Sequence, residues 1–484
     1  MKLKEIVRDL DILEWSADPE LEIGGVCYDS RRTQPGDLFV AVRGFETDGH
    51  RYIPMALQKG AAAVLCEEKP SVGIPYLRLA DCRLGLALAS RNFFGDPAAE
   101  MTVIGFTGTS GKTSSTQLLK HVLEDRLGAK VGLIGTNGNM IGEELLHTEH
   151  TTPESYELHK LFRRMADEGC THVVMEVSSH SLALERVAGI EFDVAVFTNL
   201  SQDHLDLHGT MEDYAAAKKK IFSQCRFGIV NLDDERAAYM SEGAPCPIFS
   251  YSASRNDADL VAKDLRLSAS GVRFAAVRGG ELALIRLAIP GQFYVYNALS
   301  VIAVCLRLGM SLADCAAGLA TARGVKGRME PVPTDGDYSV IIDYSHKPDA
   351  LEKALKALRP VTKGSLTVLF GCGGDRDRKK RPLMGAIAEK NADFTIVTSD
   401  NPRTEDPQAI IDEILAGMKA RRGSVKVICD RVEAIHWALD HARSGDVILL
   451  AGKGHEDYQI VGKEKHHMDE REIVAEYLER RKNA

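Results

Sequence analysis

A lysine and a threonine directly behind a short glycine-rich run are the residue types that hold a phosphate chain. The run Thr107-Gly108-Thr109-Ser110-Gly111-Lys112-Thr113-Ser114 has this form. Its glycines would let backbone amides close around phosphate oxygens, Lys112 would neutralise the terminal phosphates, and the Thr113 hydroxyl would ligate Mg²⁺. The longer phosphate-loop pattern needs glycine at position 106, where Phe106 stands, so only GxxGKT remains. The competing reading is a glycine-rich turn with a surface lysine. Two later apolar segments end in polar clusters: 173–177, carrying Glu176, leads into Ser178-Ser179-His180, and 194–198 leads into Asn199-Leu200-Ser201-Gln202-Asp203-His204. A carboxylate inside an apolar strand is costly unless its charge is compensated, and Mg²⁺ would supply that compensation at Glu176. His204 could be a second ligand, although Mg²⁺ more often takes oxygen; otherwise it is a hydrogen-bonded loop residue. By spacing alone, Lys218-Lys219-Lys220 is a solvated helix face.

Such groups act together only if strands bring them to one edge. Residues 101–106 read as a strand, and Leu118, Leu119, Val122, Leu123 and Leu127 then recur at helical spacing up to Gly128. Further strands are expected at 131–134, 173–177, 194–198 and 228–231. Strands separated by helices imply a parallel sheet, with both polar clusters on the phosphate-loop edge. Residues 259–290 look like antiparallel hairpin material turning at Gly279-Gly280, and 297–308 returns to a helix. After a linker-like cluster at 331–337, strands at 340–343, 366–370, 394–399, 425–429 and 447–451 alternate with helices such as 350–358. That pattern predicts a doubly wound sheet, which binds ligands beyond the carboxyl ends of its strands. Ahead of 101, strand-like pieces at 38–42 and 63–66 lead to a break near Asp96-Pro97.

The 484 residues suggest about three domains. The expected fold class is α/β throughout: a small α/β amino-terminal domain (1–98), a central phosphate-loop mononucleotide-binding α/β domain (99–332) and a carboxyl-terminal Rossmann-like α/β domain (333–484). With 44% hydrophobic and 27% charged residues the composition is ordinary globular usage. Sixty Lys and Arg against 69 Asp and Glu give a net charge of −9, which disfavours general nucleic-acid binding. No apolar run reaches membrane-span length and the start lacks an apolar signal core, so a cytoplasmic protein is expected. The ten scattered cysteines, none in a CxxC pair, fit reduced thiols and not a zinc site.

Taken in order, TGTSGKT, MEVSSHS, TNLSQDHLDLHG with YAAAK, YNALS, KGRME, DYSHKP, GCGGDRDRKKRPLMG, SDNPRTEDP and AGKGHEDYQ make a chain that resembles the Mur ligases over essentially its whole length, including DSRRTQPGDLFVAVRGFETDGHRYI near the start. The resemblance implies three substrate-binding domains and an ATP-dependent amide-bond-forming ligase of cytoplasmic peptidoglycan precursor synthesis. Such a ligase extends UDP-N-acetylmuramoyl-L-alanyl-D-glutamate by one diamino acid through an acyl phosphate. It implies catalytic and metal-site roles for Lys112, Thr113, Glu176 and His204, and matches Lys218 to a lysine that such ligases carbamylate with CO₂, turning a cation into an anionic Mg²⁺ ligand. It aligns Gly108, Thr109, Ser110, Gly111, Ser114, Asn297, Arg328, Asp343 and His346 with ATP contacts. It aligns Tyr28, Ser30, Phe45, Glu46, Thr47, Thr151, Thr152, Ser178 and Arg186 with the UDP-sugar peptide. Leu184 and His150 depart from the family's Gln and Asn at their positions. Small-molecule substrates, a monomer, no nucleic acid and no membrane are expected.

The last domain bears on the amino acid. meso-2,6-Diaminopimelate is lysine with a second carboxylate on its far carbon, and selecting it needs a cation there, best a bidentate guanidinium. The resemblance puts Arg403, within Asp400-Asn401-Pro402-Arg403, in that role, with Arg381 on a carboxylate and Gly452 and Glu456 on the far ammonium. Arg403 could instead form a surface ion pair with Glu405 or Asp406. The DNPR form resembles the diaminopimelate-adding members; a lysine-adding ligase or a folylpolyglutamate synthetase-like ligase is the alternative. A nucleotide-regulated binding protein and a nucleic-acid motor fit less well: the first would have no use for Lys112, Glu176, His204 and Lys218 together, and the second needs a basic surface.

Overall fold

The computed structural model describes residues 1–44, 47–148, 150–418 and 424–483. Phe45 and Glu46, expected at the UDP-sugar peptide, lie outside the described residues. By packing, the chain divides into two compact units: 1–261 with 300–311, and 262–299 with 312–484.

The first unit opens with a five-stranded sheet of β1 (Glu14–Trp15), β2 (Gly25–Cys27), β3 (Asp37–Val40), β4 (Ala63–Cys66) and β5 (Tyr76–Arg78), in the order β1-β5-β4-β3-β2. Strands β2 to β5 run parallel and β1 is antiparallel at one edge. Leu38 and Val40 point to the layer that contains Leu86 and Ala89 of the helix Cys82–Phe93, while Phe39 points to the opposite layer with Ile53 and Ala56. Both faces are covered, so the strands read as unbroken apolar runs and not as an alternation.

The same unit holds β6 (Thr102–Thr107), β7 (Val131–Ile134), β8 (Asn139–Ile141), β9 (Glu144–Leu146), β10 (His172–Glu176), β11 (Val194–Phe197), β12 (Gly228–Asn231) and β13 (Ile248–Ser252), ordered β13-β12-β11-β6-β10-β7-β8-β9. Strand β6 lies between β10 and β11, parallel to both, with Glu176 opposite Phe106 and Phe197 opposite Thr107. That register puts the phosphate loop and both polar clusters at one carboxyl edge, as the sequence pattern requires. The helix Lys112–Leu127 stops at Gly128, whose amide bonds the Glu124 carbonyl. Strands β8, β9 and β13 were not expected; the first two are three residues long, too short to show periodicity. Strand β14 (Leu260–Ser268) starts beside β13.

In the second unit, β15 (Gly271–Arg278) and β16 (Glu281–Leu287) form the expected antiparallel hairpin. Its turn residues Gly279 and Gly280 have φ of 54° and 91°, the left-handed pair whose twist matches the strands. The larger sheet contains β17 (Glu330–Val332), β18 (Ser339–Asp343), β19 (Leu366–Phe370), β20 (Phe394–Val397), β21 (Ser424–Val427) and β22 (Val447–Ala451), ordered β17-β18-β22-β19-β20-β21. Five strands are parallel, as expected. The linker expected from 331 is corrected: β17 pairs antiparallel with β18 at the edge, where Pro331 and its missing N–H are tolerated. From β19 the chain steps outward to β20 and β21, then returns on the other side of β19 as β22. The loops after β19, β20 and β22 therefore open around a topological switch point. Val340, Ile342, Leu369, Ile448 and Leu450 pack beneath Ile435, Leu439 and Val474 of covering helices. A two-stranded ribbon, β23 (Tyr458–Val461) and β24 (Glu464–His467), follows β22.

All ten cysteines are free thiols, seven of them buried. Among the described residues no helix is long and apolar enough to cross a membrane.

Candidate active site

The loop between β6 and its helix is held by the end of β11. Thr109 N donates to Asn199 O (2.9 Å), Ser110 N to Asn199 Oδ1 (3.0 Å), and Asn199 Nδ2 and Thr198 Oγ1 both donate to Ser110 O (3.0 and 2.8 Å). A β-carbon on Gly108 would lie 1.9 Å from Thr198 Oγ1, so only glycine lets the loop approach this closely. The Lys112 ammonium curls back to the carbonyls of Gly108 (2.8 Å) and Thr109 (3.2 Å).

Glu176, 1% exposed at the end of β10, is compensated by the protein itself. Its carboxylate accepts from Thr113 Oγ1 (3.0 Å to each oxygen), Thr136 N (2.8 Å) and Thr136 Oγ1 (3.3 Å). These hydrogen bonds satisfy the buried carboxylate oxygens that the sequence pattern leaves to a counter-ion. The Thr113 hydroxyl and the Glu176 carboxylate are adjacent hard oxygen donors at the foot of the loop, a donor set that fits Mg²⁺. His204 is placed differently. Its side chain is 44% exposed, its φ is 53°, and its neighbours are Asp203 (3.5 Å), His180 (ring centroids 4.8 Å) and Tyr214 (6.2 Å). Among the described residues no group of three or more His, Cys, Asp or Glu side chains is arranged to hold a metal. The expected set of Thr113, Glu176, His204 and Lys218 is thus brought together only at Thr113 and Glu176.

Lys218 corrects the reading from spacing. It is 1% exposed, with Nζ donating to the Gly108 carbonyl at 2.9 Å, the atom that Lys112 also reaches. Burial first, and then the positive charge of Lys112, push its amine well below an ordinary lysine pKa. Tyr214, one helical turn earlier, lies under the amine (4.6 Å to the ring centroid) and bonds Thr109 Oγ1 through its hydroxyl (3.1 Å). The i−4 spacing to Lys218 was the available signal for Tyr214. Asn199 lay inside a quoted cluster without a role, and Thr136 gave no signal at all.

The residues aligned with the UDP-sugar peptide spread along the first unit. Thr152 is buried, its hydroxyl donating to the Glu176 carbonyl (2.9 Å), and Thr151 bonds Thr136 through hydroxyls (3.0 Å). Ser178 caps the helix Ser179–Ala183 by accepting from Ser181 N (3.1 Å). Arg186 donates to Thr152 O (3.2 Å) and pairs with Glu154 (2.6 Å). Tyr28 donates to Glu157 (2.9 Å), Ser30 is buried against Met55, and Thr47 bonds Tyr52 (3.1 Å). Leu184 ends the Ser178-capped helix, and His150 is exposed.

In the second unit, Asp343 ends β18 and accepts from Met329 N (2.8 Å) and from the Ser345 hydroxyl; burial raises its pKa. Arg328 stacks on Tyr344 (5.2 Å), His346 Nδ1 meets the Tyr344 carbonyl (2.9 Å), and burial lowers the imidazole's pKa. Asn297 is buried within the helix Phe293–Arg307.

The loops after β19, β20 and β22 bring Asp400, Asn401, Pro402, Arg403, Gly452 and Glu456 together. Asn401 Nδ2 donates to Glu456 Oε2 (2.9 Å). Arg403 has a left-handed backbone (φ 50°), held by its amide on Ile460 O (3.1 Å) and Gly462 N on its carbonyl (2.7 Å). Its Nη1 donates to Gly374 O (2.9 Å), and among the described residues it forms no ion pair, so the alternative pairing with Glu405 or Asp406 is not seen. Glu405 is taken by Arg381 instead. Arg381 is wholly buried, with Nη1 on Glu405 Oε2 and Glu413 Oε2 (both 2.9 Å) and Nη2 on Glu405 Oε1 (2.8 Å) and Gly373 O (3.3 Å). Two glutamates thus occupy the terminal nitrogens of the guanidinium that was expected to meet a substrate carboxylate, since a buried guanidinium needs acids beside it. Sequence reasoning also missed Lys453, buried between Gly452 and Glu456. Its signal was a lysine inside an apolar-strand-to-glycine turn.

Three family models match in succession: "Mur ligase family, catalytic domain" over 22–92, "Mur ligase middle domain" over 106–305, and "Mur ligase, glutamate ligase domain" over 327–454. A protein of Caldanaerobacter subterraneus subsp. tengcongensis is 47% identical over 468 residues, 96% of each chain. One of Clostridioides difficile strain 630 is 44% identical over 483 residues, 99% of each. Both carry the name UDP-N-acetylmuramoyl-L-alanyl-D-glutamate–2,6-diaminopimelate ligase. A solved structure of that name superposes with a TM-score of 0.79 at 32% identity, covering 100% of both chains.

Proposed function

The chain belongs to the Mur ligase family, and on that premise we propose that it joins meso-2,6-diaminopimelate to the D-glutamyl γ-carboxylate of UDP-N-acetylmuramoyl-L-alanyl-D-glutamate, with ATP cleaved to ADP and phosphate. The γ-carboxylate attacks the γ-phosphorus of ATP and ADP leaves. An amine of diaminopimelate then attacks the acyl phosphate, and phosphate departs. Two anions must meet in the first step, so the chain has to place positive charge and remove water there.

Lys112 is the cation that meets the phosphate chain, and the amides at the start of the helix Lys112–Leu127 hold its oxygens. Thr113 and Glu176 would hold Mg²⁺, which when bound neutralises phosphate charge. The observation that carries the reading is the convergence of Lys112 and Lys218 on the Gly108 carbonyl, at 2.8 and 2.9 Å. Two ammonium ions are unfavourable there, and burial disfavours the charge on Lys218 further. Only a neutral amine attacks CO₂. The new N–C bond forms as one proton leaves, and the product is a carbamate anion beside Lys112. We assign His204 to orienting groups at this edge from the half-exposed loop, and the aligned peptide and ATP positions to their substrates. Three substrate domains near 1–98, 99–332 and 333–484, a monomer and a cytoplasmic site of action complete the reading.

For the amino acid, the support is Arg403: a guanidinium outside any ion pair among the described residues, on a strained backbone, in the loop that also carries Asp400 and Asn401. The test is ADP release with the UDP-sugar dipeptide, comparing meso-diaminopimelate with L-lysine. Strong preference for diaminopimelate, lost in Arg403→Ala, is expected; turnover with lysine alone would remove the carboxylate role of Arg403.

A further inference from the structure

Lys453 follows β22 by two residues and is wholly shielded from solvent. Its Nζ lies 2.5 Å from Asn401 Oδ1, 2.7 Å from Tyr458 O and 3.4 Å from Glu456 Oε2. All three partners are acceptors, so the nitrogen uses three protons and is an ammonium. Burial lowers its pKa from the ordinary lysine value, while Asp400 and Glu456 oppose that shift. Asn401 Oδ1 also accepts from Ile460 N at 2.9 Å. With two donors on one side of the amide, its NH₂ must face Glu456 Oε2. Lys453, together with Ile460 N, therefore fixes which way Asn401 points, and through Asn401 where Glu456 rests.

It also sets the charge of the pocket. Asp400 and Glu456 contribute two negative charges, Arg403 and Lys453 two positive ones, and Arg431, which also acts on Lys453, is matched by Glu470, so the sum is zero. A neutral set of fixed charges suits a zwitterionic far end, one ammonium with one carboxylate. Without Lys453 the set becomes net negative, which suits a bare ammonium such as the end of lysine.

We propose that Lys453 is a specificity-determining positioning residue: by orienting Asn401 and Glu456 and balancing the pocket charge, it makes the site select a zwitterionic diamino-acid end over a simple ammonium. The proposal rests on the diaminopimelate reading above and extends it to a residue that does not touch the substrate.

The test compares wild type, Lys453→Met and Lys453→Gln in steady-state ADP release with meso-diaminopimelate and with L-lysine. Wild type alone tests the underlying reading, because failure to prefer diaminopimelate there sinks that reading whatever the variants do. Given that preference, both variants are expected to lose at least about tenfold in the diaminopimelate-to-lysine ratio of kcat/KM, about 1.4 kcal/mol, mostly through KM for diaminopimelate. A ratio unchanged in a variant that turns over either amino acid would overturn the proposal. If neither variant folds, a structure of the wild-type enzyme with meso-diaminopimelate decides. Lys453 still on Asn401 and Glu456 supports the role, and Lys453 bonded directly to the amino acid, or withdrawn from Asn401, overturns it.

Discussion

The phosphate-loop edge and the diamino-acid edge both lie beyond the carboxyl ends of parallel strands, yet they handle buried charge in opposite ways. At the phosphate loop, hydroxyls and amides surround Glu176, and Lys218 has a backbone carbonyl and an aromatic ring but, among the described residues, no acid within ion-pair distance. At the other edge, buried cations are matched with acids: Arg381 with Glu405 and Glu413, Arg431 with Glu470, Lys453 with Glu456. The first arrangement leaves groups whose protonation a ligand or a modification can change. The second is a rigid frame from which one guanidinium, Arg403, is held out. Chemistry needs the former and discrimination the latter.

The largest expected effect breaks the first half of this contrast. Lys218→Ala should reduce kcat by about 10²–10³-fold, the range for losing a preorganised charged group near the reacting phosphate. ADP release checks it, and a variant at full rate would remove Lys218 from the mechanism. Next, Arg381→Met should leave Glu405 without its bidentate partner, Glu413 keeping Arg378, and cost about 2 kcal/mol of stability, below the range for a fully buried pair because both acids are partly exposed. Urea unfolding measures it; an unchanged midpoint would show that the frame is not structural. Arg403→Ala should weaken diaminopimelate by about 2 kcal/mol, some thirtyfold in KM, with thermal stability nearly unchanged. Equal losses in KM and melting temperature would place Arg403 in the frame instead.

The smallest effect is a pH dependence. Hydrogen bonding to Arg381, with the Asp375 amide, pulls the Glu405 carboxyl from an ordinary 4.5 down to about 2. A carboxyl depressed in the folded state adds stability that is complete above about 4.5 and is lost as pH falls towards 2. Urea midpoints should therefore decline over that window, and the decline should be shallower in Arg381→Met. An equal decline in both proteins would assign the acid sensitivity elsewhere.

Much of this molecule is readable from local pattern. Strands 131–134, 228–231, 366–370 and 447–451 match β7, β12, β19 and β22 residue for residue, because fully covered parallel strands are continuous apolar runs bounded by turn residues. The Gly279-Gly280 turn is equally local, since two left-handed residues suffice to define it. The short strands β8, β9 and β17 were not legible, and pairing rather than propensity makes them strands. In the site, Lys112 and Thr113 were legible from position after a strand, and Glu176 as an acid inside an apolar one. Lys218 was not, because a run of three lysines has no internal mark of which one is buried. The pairing of Arg381 was not legible for the related reason that guanidinium chemistry is the same whether its acid is a substrate or Glu405.

By itself, the order of residues determined which groups are available and which strand each one follows: a phosphate loop after β6, Glu176 at the end of β10, and DNPR and GKGHE beyond β20 and β22. Only the tertiary structure decided how each charge is used. Partners of Arg381 lie 24 and 32 residues away, the carbonyl under Lys218 lies 110 residues away, and Lys453 meets Asn401 across 52. Burial and pairing depend on distance in space, which sequence spacing along one element does not encode.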